Sequence, residues 1–433
     1  MERATSKGFR LHIGFFGRRN VGKSSLLNAV TKQTVSIVSD VPGTTTDPVE
    51  KPMELQPIGP VLFVDTAGVD DVGALGAQRI EKTRQAIART DIGVVVTEAG
   101  IWGEFEDRLL AELRTHNIPV AVALNKADLQ QPTIEQIALF RQEKLASVQL
   151  SATTGDGIDA FRELLWQIAP AGSDESPMIV RDLVRPGETA IFVMPIDKEA
   201  PKGRIKNLQV QAIRDLLDGE SLCMVVKDAG LQQALDNMKT APSLVVTDAQ
   251  VFDQVARITP EAIPLTAFSI LLSRLKGDLV AQTQAALTID ELHPGDRILI
   301  AETCTHHPIE EDIGRVKIPR WLEKHGGGKL EFTHVKGRDF PVDLSPYKLV
   351  IHCGACMWNR QEMMSRIHEC QRQHVPITNY GLVIAMAQGI LERALAPFPD
   401  ALAAFREARA AKTACIAADL GHQATERIAV MVD

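Results

Sequence analysis

The segment from Gly17 to Ser24, GRRNVGKS, constrains the fold of this chain more than any other feature. It fits the pattern G-x-x-x-x-G-K-[ST], in which glycines let backbone N–H groups wrap around phosphates at a helix N-terminus. An apolar run from Leu11 to Phe16 precedes it, and a helical pattern from Ser24 to Val30 follows. A strand, a loop and a helix in this order predict an α/β fold with a phosphate-binding loop.

Two side chains of this loop have predicted roles in binding a nucleoside triphosphate. Lys23 is expected to reach the β- and γ-phosphates, and the Ser24 hydroxyl is expected to bind Mg²⁺. The alternative is a chance match in an ordinary loop, against which the flanking strand and helix patterns argue. The other nucleotide-binding positions predicted in this segment are Gly17, Asn20, Val21, Gly22 and Ser25.

Further apolar runs indicate a parallel sheet, because helix-length segments separate them. The predicted strands cover 61–64, 93–97, 119–124 and 147–150. After the first of these runs, Asp65 is placed to hold Mg²⁺ and Gly68 to offer its N–H to a γ-phosphate.

Two motifs that follow later predicted strands indicate which nucleotide base the site binds. The sequence Asn125-Lys126-Ala127-Asp128 follows one strand, and the Asp128 carboxylate can accept both the N1–H and the exocyclic N–H₂ of guanine. Ser151-Ala152 follows the next strand and suits a backbone contact to guanine O6. Four motifs in this order after successive strands predict a site for GTP or GDP with Mg²⁺.

The chain is too long for one hydrophobic core, since it has 433 residues. We predict a P-loop GTPase domain over 1–172, followed by two further small α/β domains over 178–268 and 269–433, with a linker at 169–177. The second domain has strand patterns at 189–196, 222–227, 243–247 and 264–270. It lacks a glycine-rich phosphate loop, so we interpret it as a dimerisation domain rather than a second active site.

Composition excludes several classes of protein. No apolar run approaches the roughly 18 residues of a membrane span, and the short polar N-terminus gives no export signal; we expect a soluble, cytoplasmic protein without a membrane partner. A formal net charge of −8 makes nucleic acid a poor candidate partner. Six unevenly spaced cysteines do not resemble a disulfide framework.

Cysteine and histidine follow two more predicted strands, 297–301 and 348–351. Cys304-Thr-His306 follows the first, and His352-Cys353-Gly-Ala-Cys356 follows the second. Because such ends share one edge of a parallel sheet, the three cysteines are candidate metal ligands. The spacing leaves zinc and a [4Fe–4S] cluster open, with buried cysteines or a C-x-x-C redox pair as alternatives. The candidate fourth ligands are Glu302, His306 and His352.

Residues 10–170 resemble the GTPases of the TrmE-Era-EngA group. Their P-G-T-T loop is present at 42–45, and the resemblance implies that Thr44 and Thr45 bind the nucleotide, with Thr45 on Mg²⁺. Asn20 stands where potassium-stimulated members hold K⁺; a solvent-facing asparagine is the alternative. Val69 stands where a glutamine would orient the attacking water, so slow intrinsic hydrolysis is expected and no catalytic group is assigned.

A P-loop GTPase with a middle domain, C-x-H and a later H-C-x-x-C is similar to the [FeFe]-hydrogenase maturation GTPases, the HydF family. The resemblance implies a [4Fe–4S] cluster on Cys304, Cys353 and Cys356, a scaffold that delivers a diiron subcluster precursor to apo-hydrogenase, radical-SAM maturase partners and a homodimer. Each histidine of the motif is either an iron ligand or a hydrogen-bond donor near the cluster. Alternatives are an RNA- or ribosome-associated GTPase with a structural zinc site, and a redox enzyme.

Overall fold

The computed structural model describes residues 7–31, 49–66, 82–170, 178–196, 205–303 and 312–413. The chain divides into two compact units. The first comprises Met1–Ser176 with Met357–Ser365, and the second comprises Pro177–Cys356 with Arg366–Asp433. Across the described ranges, no helix combines the length and apolarity that crossing a membrane requires.

A six-stranded sheet forms the centre of the first unit. Its strands, β1 to β6 in chain order, are Leu11–Phe16, Val49–Leu55, Gly59–Asp65, Ile92–Glu98, Val120–Asn125 and Ala146–Gln149. They lie in the order β2-β3-β1-β4-β5-β6, and only the edge pair β2 and β3 is antiparallel. The helices are Lys23–Thr31, Glu104–Thr115, Ile134–Gln142 and Ile158–Ile168, and residues 82–87 are also helical.

The predicted α/β class is confirmed, and the apolar runs form the inner strands of this sheet. Phe15 of β1 contacts Phe63 of β3 and Phe161 of the helix Ile158–Ile168, with ring centroids 5.5 and 6.3 Å apart. These contacts join the sheet to the helix that covers it. The sequence does not predict strand β2, because VEKPMEL contains three charged residues and a proline, which is tolerated in an edge strand.

The second unit contains two four-stranded parallel sheets. Strands β7 to β10 of the first are Thr189–Val193, Leu222–Val226, Leu244–Thr247 and Leu265–Ala267, in the order β10-β9-β7-β8. Its helices are Asn207–Asp218, Leu231–Asp236, Phe252–Ile258 and Phe268–Lys276. The single strand predicted over 264–270 is wrong at its C-terminal half, where the helix begins; short apolar runs do not distinguish a strand from a buried helix.

The other sheet of this unit carries the cysteine motif. Strands β11 to β14 are Arg297–Glu302, Glu331–Lys336, Leu349–His352 and Ile377–Asn379, in the order β12-β11-β13-β14. All neighbours are parallel, and Ala301 of β11 lies beside His352 of β13. The helices are Leu279–Ala286, Ile318–His325, Arg360–Arg372, Tyr380–Ala387 and Leu391–Ala394, and residues 399–413 are also helical.

The helix Phe268–Lys276 packs on both sheets of the second unit. At its start, Phe268 contacts Phe192 of β7 with ring centroids 5.2 Å apart. One residue later, the Ser269 carbonyl accepts a hydrogen bond of 2.8 Å from the Asn379 side chain of β14. The domain boundary predicted between 268 and 269 falls at the beginning of this helix, and the division of the chain at that point stays a prediction.

Candidate functional site

Two glycines give the loop between β1 and the helix Lys23–Thr31 its shape. Gly17 has φ of 150° and Gly22 has φ of 89°, both in the region that side chains disfavour. A Cβ on Gly17 would lie 2.2 Å from the Val96 carbonyl oxygen, and one on Gly22 would lie 2.2 Å from Asn125 Nδ2. Only glycine therefore fits at either position, and backbone N–H groups can approach a phosphate closely.

Lys23, Ser24 and Asp65 lie together at the end of this loop. The Lys23 ammonium is buried and donates to the carbonyls of Gly17 and Arg18 at 2.9 and 2.7 Å. Ser24 Oγ donates to Asp65 Oδ2 at 2.5 Å. Burial raises the pKa of Asp65, while the Ser24 hydrogen bond and the Lys23 charge oppose this effect.

The oxygens of this group fit a magnesium ion. Asp65 Oδ1 is buried and has no hydrogen-bond partner in the described part of the chain. A carboxylate with an unused oxygen beside a hydroxyl is the kind of ligand set that Mg²⁺ prefers. Ser24 and Asp65 are therefore the described residues that would hold the ion, which would neutralise phosphate charge.

Asn125 connects the phosphate loop to the motifs predicted to bind guanine. Its Nδ2 donates to the Val21 carbonyl at 2.8 Å, and its Oδ1 accepts from the Ala152 N–H at 3.0 Å. Ala127 N–H donates to the Leu150 carbonyl at 3.1 Å, which brings the two motifs side by side. The phosphate half and the base half of the predicted site thus form one hydrogen-bonded structure.

Other predicted nucleotide-binding residues lie at the surface, in the helix after the loop or outside the described part of the chain. Asn20 and Asp128 are exposed, and Ser25 is half-buried in the helix after the loop. Lys126 has φ of 61°, and its ammonium lies 2.5 Å from Glu98 Oε1. The positions that lie outside the described residues are Thr44, Thr45 and Gly68.

An ion pair that supports the phosphate loop is not evident from the sequence. Arg18 donates from Nε and Nη2 to Glu106 at 2.7 and 2.8 Å, and the Glu106 carboxylate is fully buried. The same carboxylate accepts the Gly103 N–H at 3.0 Å and so caps the helix Glu104–Thr115. Eighty-eight residues separate the two partners, so no local pattern connects them.

Replacement of Glu106 tests this support. We expect Glu106→Ala to lower the free energy of unfolding by about 1–3 kcal/mol, because the Arg18 guanidinium and the Gly103 N–H lose their acceptor. Urea unfolding would measure the loss. Glu104→Ala is the matched control at the start of the same helix, since its pair with Arg108 is exposed and should contribute less than about 0.5 kcal/mol. Equal losses in the two variants would contradict a structural role for Glu106.

The ends of β11 and β13 bring the cysteine motifs to one edge of their sheet. Cys353 follows β13, and its sulfur accepts the Thr303 N–H at 3.2 Å, with Thr303 Oγ1 at 3.4 Å. Thr303 directly precedes Cys304, which lies outside the described residues together with His306. Cys353 and Cys356 are half-buried. Among the residues that are described, no three His, Cys, Asp or Glu side chains form a metal-binding group.

His352 is hydrogen-bonded through both ring nitrogens. Nδ1 lies 2.7 Å from the Cys353 carbonyl, which can only accept, and Nε2 lies 2.9 Å from the Arg366 guanidinium, which can only donate. This assigns the proton to Nδ1. Burial and the Arg366 charge lower the pKa of His352 to about 3. Iron ligation by His352 would require one of these contacts to break.

Glu302 is buried near the same edge. Its Oε1 accepts a hydrogen bond of 3.2 Å from the Tyr380 hydroxyl. Burial, together with the nearby Cys353 and Glu302, raises the pKa of Tyr380 well above its ordinary value. The Tyr380 hydroxyl therefore stays protonated as a donor to Glu302, whose role as a fourth ligand remains a prediction.

The fold and the nucleotide site define a P-loop GTPase with two further α/β domains. Family models match most of the chain: "50S ribosome-binding GTPase" over 12–126, "Hydrogen maturase F dimerization domain" over 179–277 and "Hydrogen maturase F tetramerization domain" over 280–397. The chain belongs to the hydrogen maturase F family. The resemblance inferred from the motifs is thereby confirmed.

Curated relatives are similar to the GTPase part. The tRNA modification GTPase MnmE of Synechococcus sp. (strain CC9902) is 36% identical over 177 residues, which cover 40% of this chain and 36% of the relative. GTPase Der of Wolinella succinogenes is 33% identical over 168 residues, with 36% of each chain covered. The chain thus spans about a third of the length of these relatives.

Among solved structures, a point variant of Era from Aquifex aeolicus bound to GDP·AlF₄⁻ aligns with a TM-score of 0.34 and 20% identity. The alignment covers 50% of this chain and 92% of that one. At this TM-score the likeness has no bearing on function.

Proposed function

We propose that this chain binds and slowly hydrolyses GTP and acts as a scaffold in [FeFe]-hydrogenase maturation. It holds a [4Fe–4S] cluster and delivers the diiron subcluster precursor to the apo-hydrogenase, with radical-SAM maturases as further partners. The observation that carries the proposal is the approach of Thr303, at the end of β11, to Cys353 after β13. This contact supports a shared site for Cys304 and the C-x-x-C cysteines in a chain with hydrogen maturase F domains.

In the nucleotide half, Lys23 neutralises phosphate charge, while Ser24, Asp65 and, by resemblance, Thr45 hold Mg²⁺. Asp128 recognises the guanine N–H groups. Val69 has no side-chain amide to orient the attacking water, which supports slow intrinsic hydrolysis. Potassium beside Asn20, or association with a second molecule, would then supply the contribution to hydrolysis that Val69 does not make.

In the cluster half, Cys304, Cys353 and Cys356 are the proposed thiolate ligands. When bound, a cluster held by three cysteines supplies an iron with an exchangeable fourth position. The Thr303 N–H donates to the Cys353 sulfur, a kind of hydrogen bond that tunes iron–sulfur centres. Glu302 and His306 remain the candidates for the fourth position. His352 is proposed to orient Cys353 through its hydrogen bond to the Cys353 carbonyl.

Anaerobic reconstitution with iron and sulfide tests the cluster proposal. We expect about four irons per chain and, after reduction, the EPR signal of a cysteine-ligated cubane. A colourless protein that retains one tightly bound zinc would contradict it. That result would favour the alternative, an RNA- or ribosome-associated GTPase with a structural zinc site, although a net charge of −8 gives little support to nucleic-acid binding.

Strand β8 is the proposed surface for homodimer formation. It is an edge strand of its sheet in the dimerization domain, and Leu222 and Val225 on it are 57% and 44% exposed. Leu217, in the preceding helix, is 58% exposed. Edge strands with exposed apolar side chains favour pairing with another strand. A second copy of β8 would extend the sheet and cover these side chains.

Lysine substitution tests this surface. We expect Leu222→Lys combined with Val225→Lys to raise the dimer dissociation constant by about tenfold or more, because edge lysines oppose strand pairing. Sedimentation analysis at several protein concentrations would measure the change. Val342→Lys is the control, since Val342 is 88% exposed outside this domain. An unchanged dissociation constant in the double variant would exclude β8 as the interface.

The cytoplasm is the proposed location. Iron ligation by thiolates requires reduced cysteines, and the cytoplasm keeps thiols reduced. Burial raises the pKa of the Cys223 thiol to about 11 and that of Cys370 to about 12. Both thiols therefore stay protonated near neutral pH, and neither belongs to the motif whose cysteines are the proposed ligands.

A further inference from the structure

A buried lysine lies beneath the cysteine loop. Lys276, the last residue of the helix Phe268–Lys276, is only 2% exposed. Its ammonium donates to the carbonyls of Ala355 and Cys356 at 3.3 and 3.2 Å. These two carbonyls belong to the last residues of the C-x-x-C motif, so a lysine some 80 residues away contacts the loop between the two cysteines.

The loop has a conformation that needs such support. Ala355 has φ of 49°, a left-handed conformation that is unfavourable for a residue with a side chain, and it is almost fully buried. Gly354 packs on the same helix, since a Cβ at this position would lie 2.9 Å from Leu272 Cδ1. The helix therefore supports the loop through an apolar contact at Gly354 and through a charged donor at Ala355 and Cys356.

We propose that Lys276 is a positioning residue of the cluster site. Its ammonium holds the left-handed turn at Ala355 and so sets the direction of Cys356. Its positive charge also stabilises the reduced, more negative form of a cluster bound by these cysteines, which raises the reduction potential. The effect on the reduction potential rests on the proposed function, whereas the effect on the loop concerns the chain without a metal.

Hydrogen exchange of the metal-free chain tests the first effect. In Lys276→Met, which keeps the length but removes the charge and the donors, amides of residues 354–356 should exchange about tenfold faster or more. Amides of β13, Leu349–His352, should keep their protection, which shows that the variant is folded. Lys276→Arg should restore slow exchange. Unchanged loop exchange in a folded Lys276→Met would overturn the proposal.

The reduction potential of the reconstituted protein tests the second effect. We expect a more negative midpoint potential in Lys276→Met and a value near that of the unsubstituted chain in Lys276→Arg. Lys324→Met, which removes an exposed lysine, is the control and should leave the potential unchanged. Equal potentials in Lys276→Met and the control would overturn the charge effect. Failure of the unsubstituted chain to bind a cluster would instead contradict the proposed function, while the exchange experiment would still decide the role of Lys276 in the loop.

Discussion

Lys23→Ala should lower GTP hydrolysis by about a hundredfold or more, because it removes the ammonium expected to stabilise charge on the transferred phosphate. The ammonium is already held in the loop by the carbonyls of Gly17 and Arg18. Phosphate release under saturating GTP measures the loss. The same variant should take up iron and sulfide normally, because Cys353 and Cys356 belong to the other compact unit.

Arg141→Ala is a suitable control for this variant. Arg141 is an exposed cation on the helix Ile134–Gln142 of the same unit, away from the phosphate loop in sequence. Its removal should leave hydrolysis within about twofold, since exposed charges contribute little. Undiminished hydrolysis by Lys23→Ala would refute the assigned nucleotide site. Loss of iron uptake as well, in a folded protein, would refute the independence of the two sites.

Cys353→Ala should abolish stable cluster binding while GTP hydrolysis continues at its usual rate. The substitution removes the sulfur that accepts the Thr303 N–H and one of three proposed thiolate ligands. Iron content and the EPR signal after reduction measure the first effect, and phosphate release measures the second.

Cys223→Ala is the matched control for the cluster variant. Cys223 lies in β8 of the other sheet, and burial raises the pKa of its thiol to about 11. The control should bind as much iron as the unsubstituted chain. If Cys353→Ala retained a full cluster, Cys353 would not be a ligand, and the edge formed by β11 and β13 would need another explanation.

The sequence predicts those parts of the fold in which a short residue pattern is compatible with only one kind of local structure. Buried parallel strands such as β1 and β4 are mostly apolar, and the phosphate loop has fixed glycine positions. Strand β2 and strand β12, EFTHVK, mix apolar residues with charged ones, and β14 has only three residues. Their strand state depends on neighbours that are distant in sequence, so local propensity does not predict it.

The same distinction applies to the candidate sites. Asn125 and Ala152 are predictable because Asn125 ends strand β5 and Ala152 follows strand β6. Glu106 and Lys276 are not, because each acts on a loop about 80 to 90 residues away in the chain. Their only local signal is an ordinary charge in an ordinary helix, which more often faces solvent. A sequence pattern indicates the residues that touch a ligand better than those that hold these residues in place.

The position of Lys276 has a consequence for dissecting the chain into modules. The tetramerization-domain match begins at residue 280, whereas Lys276 and Ser269, which support the cysteine loop and β14, lie within the dimerization-domain match. A fragment cut at that sequence border would carry Cys353 and Cys356 without the helix on which their loop rests. The dimerization and tetramerization regions therefore cannot be exchanged independently of each other. A chimera that combines them from different relatives must keep this helix with the cysteines it supports.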